Sequence, residues 1–321
     1  MRKSITLLIA VVMLVVLAAP VYAQEGDIVD VAVADGRFTT LVAAVQTAEL
    51  VDALKAEGPY TVFAPTDDAF AALLADNELT AEDLLANPDL ANILLYHVVE
   101  GDLDAAAVID AVGDAEYILV DTLAGMPVKV SVMDGAVYVN DAQVIIADVM
   151  ASNGVIHVVD SVIMPPSDTI TDIVVAAAGD EMAPEFTVLL AAVAQAELAD
   201  ALAGEGPFTV FAPTDEAFAA ALEALNISAE DLLANPDLAN ILLYHVVGGE
   251  EALYSNDVAA ALADADAMGV TLDTLLDGAT VTITADEDGI YINDAQIIMT
   301  DIMAANGVIH VIDAVILPPA E

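Results

Sequence analysis

AEDLLANPDLANILLYHVV, residues 81–99, returns letter for letter at residues 229–247. Nineteen identical residues 148 positions apart do not arise by chance. Other fragments return in the same order. TVFAPTD at 61–67 recurs at 209–215, NDAQ at 140–143 recurs at 293–296, and NGVIHV at 153–158 recurs at 306–311. The first of these keeps the offset of 148 and the last two have 153, so the second copy gains a net five residues between its Tyr-His step and its NDAQ turn. A period this long is not that of a solenoid, whose units span about 20–50 residues. Each copy is long enough to bury its own core, which makes the chain a tandem pair of domains.

Within the first copy the apolar spacing is helical at the start and alternating at the end. Residues 27–35 read as a short helix. Residues 38–54 read as a longer one, with Leu41, Val42, Val45, Leu50, Val51 and Leu54 on one stripe. Gly58-Pro59 stops it, and Tyr60 to Ala64 is a strand closed by Pro65. Thr66 caps the next helix, which turns Phe70, Leu73 and Leu74 inward. Thr80 and Asp83 form a capping box. Asn87-Pro88 restarts the chain as cap and first helical residue, and strand begins near Tyr96-His97-Val98-Val99. After a last helix near 102–111, strands are expected at 117–120, 128–133, 136–140, 143–149 and 155–164. Asp134-Gly135, Asn140-Asp141 and Asn153-Gly154 are the hairpin turns between them. Helices first and an antiparallel meander afterwards is an α+β order, not the alternation of a parallel sheet.

The ends and the charge bound the function. Arg2 and Lys3 precede an apolar run from Ile5 to Ala19, and Val21-Tyr22-Ala23 offers a cleavage site, so residues 1–23 read as a secretory signal peptide. The expected layout is a first domain at 24–165, a proline-rich linker at 166–169 and a second domain at 170–321. The two prolines at this junction, Pro165 and Pro166, make the connection short and stiff. No later segment reads as a membrane span. The chain lacks cysteine, which rules out disulfides and a lipid-modified cysteine. Beyond residue 23 there are 53 acids and only three bases, Arg37, Lys55 and Lys129, a formal charge near −50. Such a surface repels nucleic acid and anionic lipid and draws cations diffusely. With 58% apolar residues in periodic runs, the acids read as a solvated shell around ordinary cores rather than as disorder.

TVFAPTDDAF, then NILLYHVV, then NGVIHVVDSVIMP, matched in the second copy by TVFAPTDEAF, NILLYHVV and NGVIHVIDAVILP, resembles the signature stretches of the fasciclin-type adhesion domain. The resemblance covers nearly all of 26–165 and 168–319. It implies two fasciclin-like domains, each an antiparallel β-sandwich or wedge with a helical layer, in an extracellular module for adhesion and matrix contacts. It also points to two places as partner-binding in animal relatives. One is the Tyr-His step, here Tyr96, His97, Tyr244 and His245. The other is an acidic-aliphatic pair before the NG turn, here Asp148 and Asp301. The second copy keeps Asp-Ile, the first has Val149 in place of Ile, and neither has a preceding Glu-Pro. The leader and composition read as prokaryotic, where an integrin is not the expected partner, and these residues then serve the fold alone.

The residues themselves favour that plainer role. His97, His157, His245 and His310 lie in the apolar runs LLYHVV and GVIHV, where a histidine most often donates one ring N–H to a backbone carbonyl and stays neutral. A zinc site needs three or four ligands, and no thiol is at hand. Tyr96 and Tyr244 end an apolar helical face and read as core with a satisfied hydroxyl. Asp286-Glu287-Asp288-Gly289 sits where a hairpin turn is expected and lacks the remaining ligands of a calcium loop. No nucleophile elbow, recurring serine, phosphate loop or basic aromatic patch is present. The expected protein is therefore a secreted, non-enzymatic, cofactor-free binding module of the cell surface or matrix, its partner an extracellular protein or polysaccharide. A small-ligand or polysaccharide-binding protein of the envelope is the alternative, and it requires a pocket with converging polar groups.

Overall fold

Side-chain caps set most of the helix starts. In the computed structural model, which describes residues 26–319 apart from 181, 184 and 265–268, the first unit opens with α1 (Ile28–Asp35), capped by Asp27. Next come α2 (Thr39–Thr47), α3 (Val51–Leu54) and β1 (Tyr60–Pro65). They are followed by α4 (Asp67–Asp76), α5 (Ala81–Leu85), α6 (Leu90–Leu95) and β2 (Val98–Glu100). After α7 (Ala105–Val112) the strands run together: β3 (Ile118–Asp121), β4 (Pro127–Met133), β5 (Ala136–Val139), β6 (Ala142–Ala151) and β7 (Gly154–Val159). The proposed signal peptide lies outside the described residues.

The repeated PTD motif places two caps at once. Thr66 accepts from the Ala69 N–H and starts α4. Asp67, one residue on, reaches back to accept from the backbone N–H groups of Thr39 and Thr40, and so caps α2 from a distance. Asp215 does the same for Thr187 and Val188 in the second unit. These first-turn N–H groups have no partner within their own helix, so the carboxylates fix helix and strand together.

The second unit repeats the order. It runs α8 (Ile170–Ala178), α9 (Thr187–Gln195), α10 (Ala199–Leu202), β8 (Phe208–Pro213), α11 (Asp215–Leu225), α12 (Ala229–Leu233) and α13 (Leu238–Tyr244). Then come β9 (Val246–Gly248), α14 (Ser255–Asp264), β10 (Val270–Asp273), β11 (Thr280–Ala285), β12 (Ile290–Ile292), β13 (Ala295–Ala304) and β14 (Gly307–Ile312). The chain divides between Ile163 and Met164. Each unit has its own seven strands, in the order β2-β1-β7-β6-β5-β4-β3 and its mirror listing β10-β11-β12-β13-β14-β8-β9. No strand of one half pairs with the other among the described residues. Thr169, at the end of the proline-rich stretch, is the cap of α8 and forms a capping box with Asp172.

The extra residues of the second copy enter in steps. Equivalent helices start at Ala105 and Ser255, an offset of 150; equivalent strands start at Ile118 and Val270, an offset of 152. The full 153 is reached by Pro127 and Thr280.

The meander from β3 to β7 is antiparallel as expected. β1, however, joins β7 in parallel, Tyr60 opposite Gly154 through Pro65 opposite Val159. Alternation sends Val62, Ala64, Ile156 and Val158 into the helical cluster. Phe63 and Val159 face the other way, into a second cluster with Val128, Val130 and Val139. The β1–β7 pair is thus the wall between a helical layer and a strand layer, an α+β sandwich.

Four local expectations shift. The stretch 38–54 is two helices, because Glu49 takes a left-handed conformation and the Leu50 N–H turns back to the Val45 carbonyl. Glu197 repeats this. The helix after Asn87-Pro88 starts at Leu90; the Asn87 side chain instead accepts from the Asp89 N–H in an Asx turn. The β6–β7 turn is Ser152-Asn153, with Gly154 already paired to Ala151. The last strand ends at Val159 rather than at Met164.

The three bases beyond residue 23 all have local partners. Arg37 meets Asp35, Lys55 meets Asp27 and Asp30, and Lys129 lies over the Tyr117 ring at 4.7 Å. All three are in the first unit; no Lys or Arg occurs from residue 164 onward. Screening should therefore relieve more repulsion in the second unit. We expect the melting temperature to rise from low to molar sodium chloride, with the second unit's transition moving further in calorimetry of the whole chain. Identical thermograms at both salt levels would refute this.

Candidate functional site

The Tyr-His step stands where α6 gives way to β2, and its two side chains brace different layers. The Tyr96 hydroxyl donates to the Pro127 carbonyl at 3.0 Å and accepts from the Asn140 side chain at 3.2 Å. Asn140, the first residue of NDAQ, accepts in turn from the Lys129 N–H. Tyr244, Thr280, Asn293 and Thr282 repeat this set. The NDAQ motif therefore has a structural meaning: its asparagine, left-handed at φ 51 and 52 in the two copies, locks the tyrosine onto β4 or β11.

His97 is a second brace. Its Nδ1 lies 2.7 Å from the Ile93 carbonyl, and its Nε2 lies 2.9 Å from the Ile163 N–H. A carbonyl can only accept and an amide N–H can only donate, so Nδ1 carries the proton and the ring is neutral. Burial pushes its pKa down to about 4, against the partial upward pull of the Ile93 carbonyl. His245 does the same between Ile241 and Ile316, and burial takes it to about 4 as well.

The second histidine of each unit ties the bulged strand to the segment leading into the last helix. His157 Nε2 donates to the Leu103 carbonyl at 2.7 Å, and Nδ1 accepts from the Asp148 N–H at 3.3 Å. His310 joins Leu253 and Asp301 in the same way. Each ring packs on the phenylalanine across the strand pair, Phe63 or Phe211.

Asp148 and Asp301 sit in the irregular middle of β6 and β13, both left-handed at φ 59 and 60. Aspartate tolerates this conformation better than most residues. Asp148 is exposed, and its carboxylate accepts from the Ala105 N–H at the start of α7. Asp301 is buried, and its carboxylate accepts from both the N–H and the hydroxyl of Ser255. Ser255, Asp301 and His310 thus lie together in the second unit, but His310 spends Nε2 on Leu253 and does not reach the hydroxyl.

Of the six residues singled out from the sequence, Tyr96, His97, Tyr244, His245 and Asp301 are no more than 4% exposed. Their polar atoms are satisfied by backbone and by neighbouring side chains. Of the six, Asp148 alone is exposed. Asp286 likewise serves a turn, accepting from the N–H groups of Asp288 and Gly289 between β11 and β12. Sequence reasoning missed what lies beside the aspartates. Ile145 and Ile146, and at the same place Ile298 and Met299, are between 40% and 56% exposed. The register shifts of the bulge put consecutive aliphatic residues on the surface, which strict alternation would not.

Removing one hydroxyl measures the tyrosine brace. Tyr96→Phe leaves the Pro127 carbonyl and the Asn140 amide short of a partner, a loss of about 1–2 kcal/mol. Urea denaturation of the first unit checks it, and an unchanged midpoint would show the hydroxyl to be dispensable.

A family profile described as Fasciclin domain matches residues 36–165 and 184–318. Protein sll1483 of Synechocystis is 56% identical over 142 residues, 43% of this chain and 73% of that protein. The pig transforming growth factor-beta-induced protein ig-h3 is 32% identical over 291 residues, 88% of this chain, which spans 38% of that protein. Among solved structures, a FAS1 domain pair from the insect cell adhesion molecule fasciclin I matches at TM-score 0.41 and 19% identity, covering 88% of this chain and 98% of that one.

Proposed function

The chain belongs to the fasciclin domain family, and we propose from that premise that it is a secreted, non-enzymatic binding module acting in surface or matrix adhesion. One observation carries the reading. Both units present an exposed aliphatic pair on the bulged strand, Ile145-Ile146 and Ile298-Met299, at the same place beside the aspartate at the bulge. Water-exposed aliphatic groups recurring on one strand position in two copies fit a contact surface better than a solubility shell. The buried Tyr-His step contributes indirectly, by holding the layers that carry this strand.

The polysaccharide or small-ligand alternative needs converging polar groups. The voids under the first helix of each unit are about 40 and 30 Å³ and are lined by residues such as Ile28, Leu41, Val45, Ile170, Leu189 and Val193. Apolar spaces of that kind offer a polar ligand nothing to hold; the polar-lined hollow beside Asp27, Lys55, Ser152 and Asn153 of the first unit, about 730 Å³, is the place where this alternative would have to act. No helix among the described residues is long and apolar enough to cross a membrane.

Two copies give two contacts, and a tethered second contact raises avidity. In solid-phase assays on immobilised extracellular proteins and polysaccharides, the mature chain is expected to bind. A variant with Ile145, Ile146, Ile298 and Met299 all changed to serine should lose at least tenfold. If one pair is sufficient for full binding, the avidity part falls; if the fourfold variant binds as well as the parent, the surface is wrong.

A further inference from the structure

The second unit carries a groove that the bulged-strand surface does not use. It runs between α11, the corner joining α12 to α13, the turn after β10 and the segment 315–319, and encloses about 720 Å³. Leu222, Leu225, Ile227, Leu276 and Leu317 supply an aliphatic lining, and Leu225 and Leu317 are exposed. Asp237 and Asp277 stand exposed at its rim. We propose that this groove binds a cationic amphipathic polypeptide segment, its apolar side chains on the leucines and its lysines or arginines toward the two aspartates.

The chemistry selects among occupants. The second unit has no Lys or Arg, so nothing of its own neutralises the rim. An anionic ligand is repelled, and so is a second copy of this chain. A sugar finds no exposed ring to stack on: the one aromatic in the lining is Phe218, which is buried. The volume lies within the range of about 300–1,000 Å³ typical of pockets that bury a ligand. Aliphatic lining with a charged rim is the arrangement that receives an amphipathic helix or short strand by its apolar face.

The inference rests on the reading of the chain as a binding module and names one partner chemistry for it. The test separates the groove from the diffuse charge of the whole surface. A labelled leucine–lysine peptide with helical amphipathic spacing, and a scrambled peptide of the same composition, are titrated into the mature chain by fluorescence anisotropy. The amphipathic peptide is expected to bind about tenfold tighter. Leu225→Ser with Leu317→Ser should abolish that advantage while leaving the melting temperature in place, since both side chains are exposed. Asp237→Asn with Asp277→Asn should weaken the amphipathic peptide severalfold. Equal binding of the two peptides, or an advantage that survives the leucine changes, overturns the proposal. Solid-phase binding lost by the bulged-strand variant but kept by the groove variant leaves the two readings independently judged.

Discussion

Gly154→Ala is expected to unfold the first unit at temperatures where the second remains folded, and Gly307→Ala the reverse. A Cβ on Gly154 would collide with the Tyr60 carbonyl oxygen, and one on Gly307 with that of Phe208. The neighbour is backbone held in the parallel β1–β7 or β8–β14 register and cannot rotate away. The φ values, 155° and 151°, belong to a region that side-chain-bearing residues rarely enter. Backbone strain of about 1–3 kcal/mol and a comparable overpacking penalty give a loss on the order of 4 kcal/mol. Gly135→Ala is the control. It also sits at positive φ, but a Cβ there meets nothing within 4 Å, so about 1–2 kcal/mol is expected. Calorimetry of the full chain, with one transition per unit, reads the difference. If Gly154→Ala and Gly135→Ala lost equal stability, the close crossing of the two strands would be wrong.

The second large effect is acid sensitivity through His97 and His245. Each is neutral when folded and titrates near 4, against an ordinary value of 6.5. Above pH 6.5 both folded and unfolded states are unprotonated, and the full stability is present. Between 6.5 and about 4 the unfolded chain takes up a proton that the folded ring refuses. Stability then falls by about 1.4 kcal/mol per pH unit for each histidine, levelling off below the folded value. Over the window this amounts to roughly 3 kcal/mol per unit of the fold. His97→Gln keeps one donor and one acceptor but cannot ionise. Its stability at pH 7 should be lower, because a flexible amide replaces a fitted ring, yet its slope between pH 7 and 5 should be shallower by about one proton. The carboxylates titrate alike in both proteins, so the difference isolates the histidine. Parallel pH curves for parent and variant would show that His97 accepts its proton in the folded state. His97→Ala should be far worse, since it leaves the Ile93 carbonyl and the Ile163 N–H buried without partners and a cavity beside them, about 3–5 kcal/mol.

Legibility of the fold followed the range of the interaction. The capping boxes at Thr80–Asp83 and Ser228–Asp231 each span four residues, and the first could be read directly. The strand stretches were visible by alternation. The left-handed Glu49 was not, because a glutamate carries no mark of that conformation as a glycine would. Neither was Asp67 as the cap of α2, whose partners lie 27 and 28 residues away. Of the six residues that the resemblance points to, five are buried. Exposure decides what a partner can touch, and exposure turned on the bulge and on Ser255 over Asp301, neither of which has a periodic signature.

By itself the sequence determined that there are two copies of one unit, helices before strands, with an acidic exterior and apolar cores. Repetition, periodicity and charge are local or additive properties of the chain. Only the tertiary structure decided that β1 enters the sheet in parallel beside β7, which distant groups the repeated tyrosines and histidines brace, and that the exposed surface is aliphatic beside the bulge. Those facts depend on which backbone groups, far apart in sequence, satisfy one another once water is excluded, and no window along the chain contains both partners.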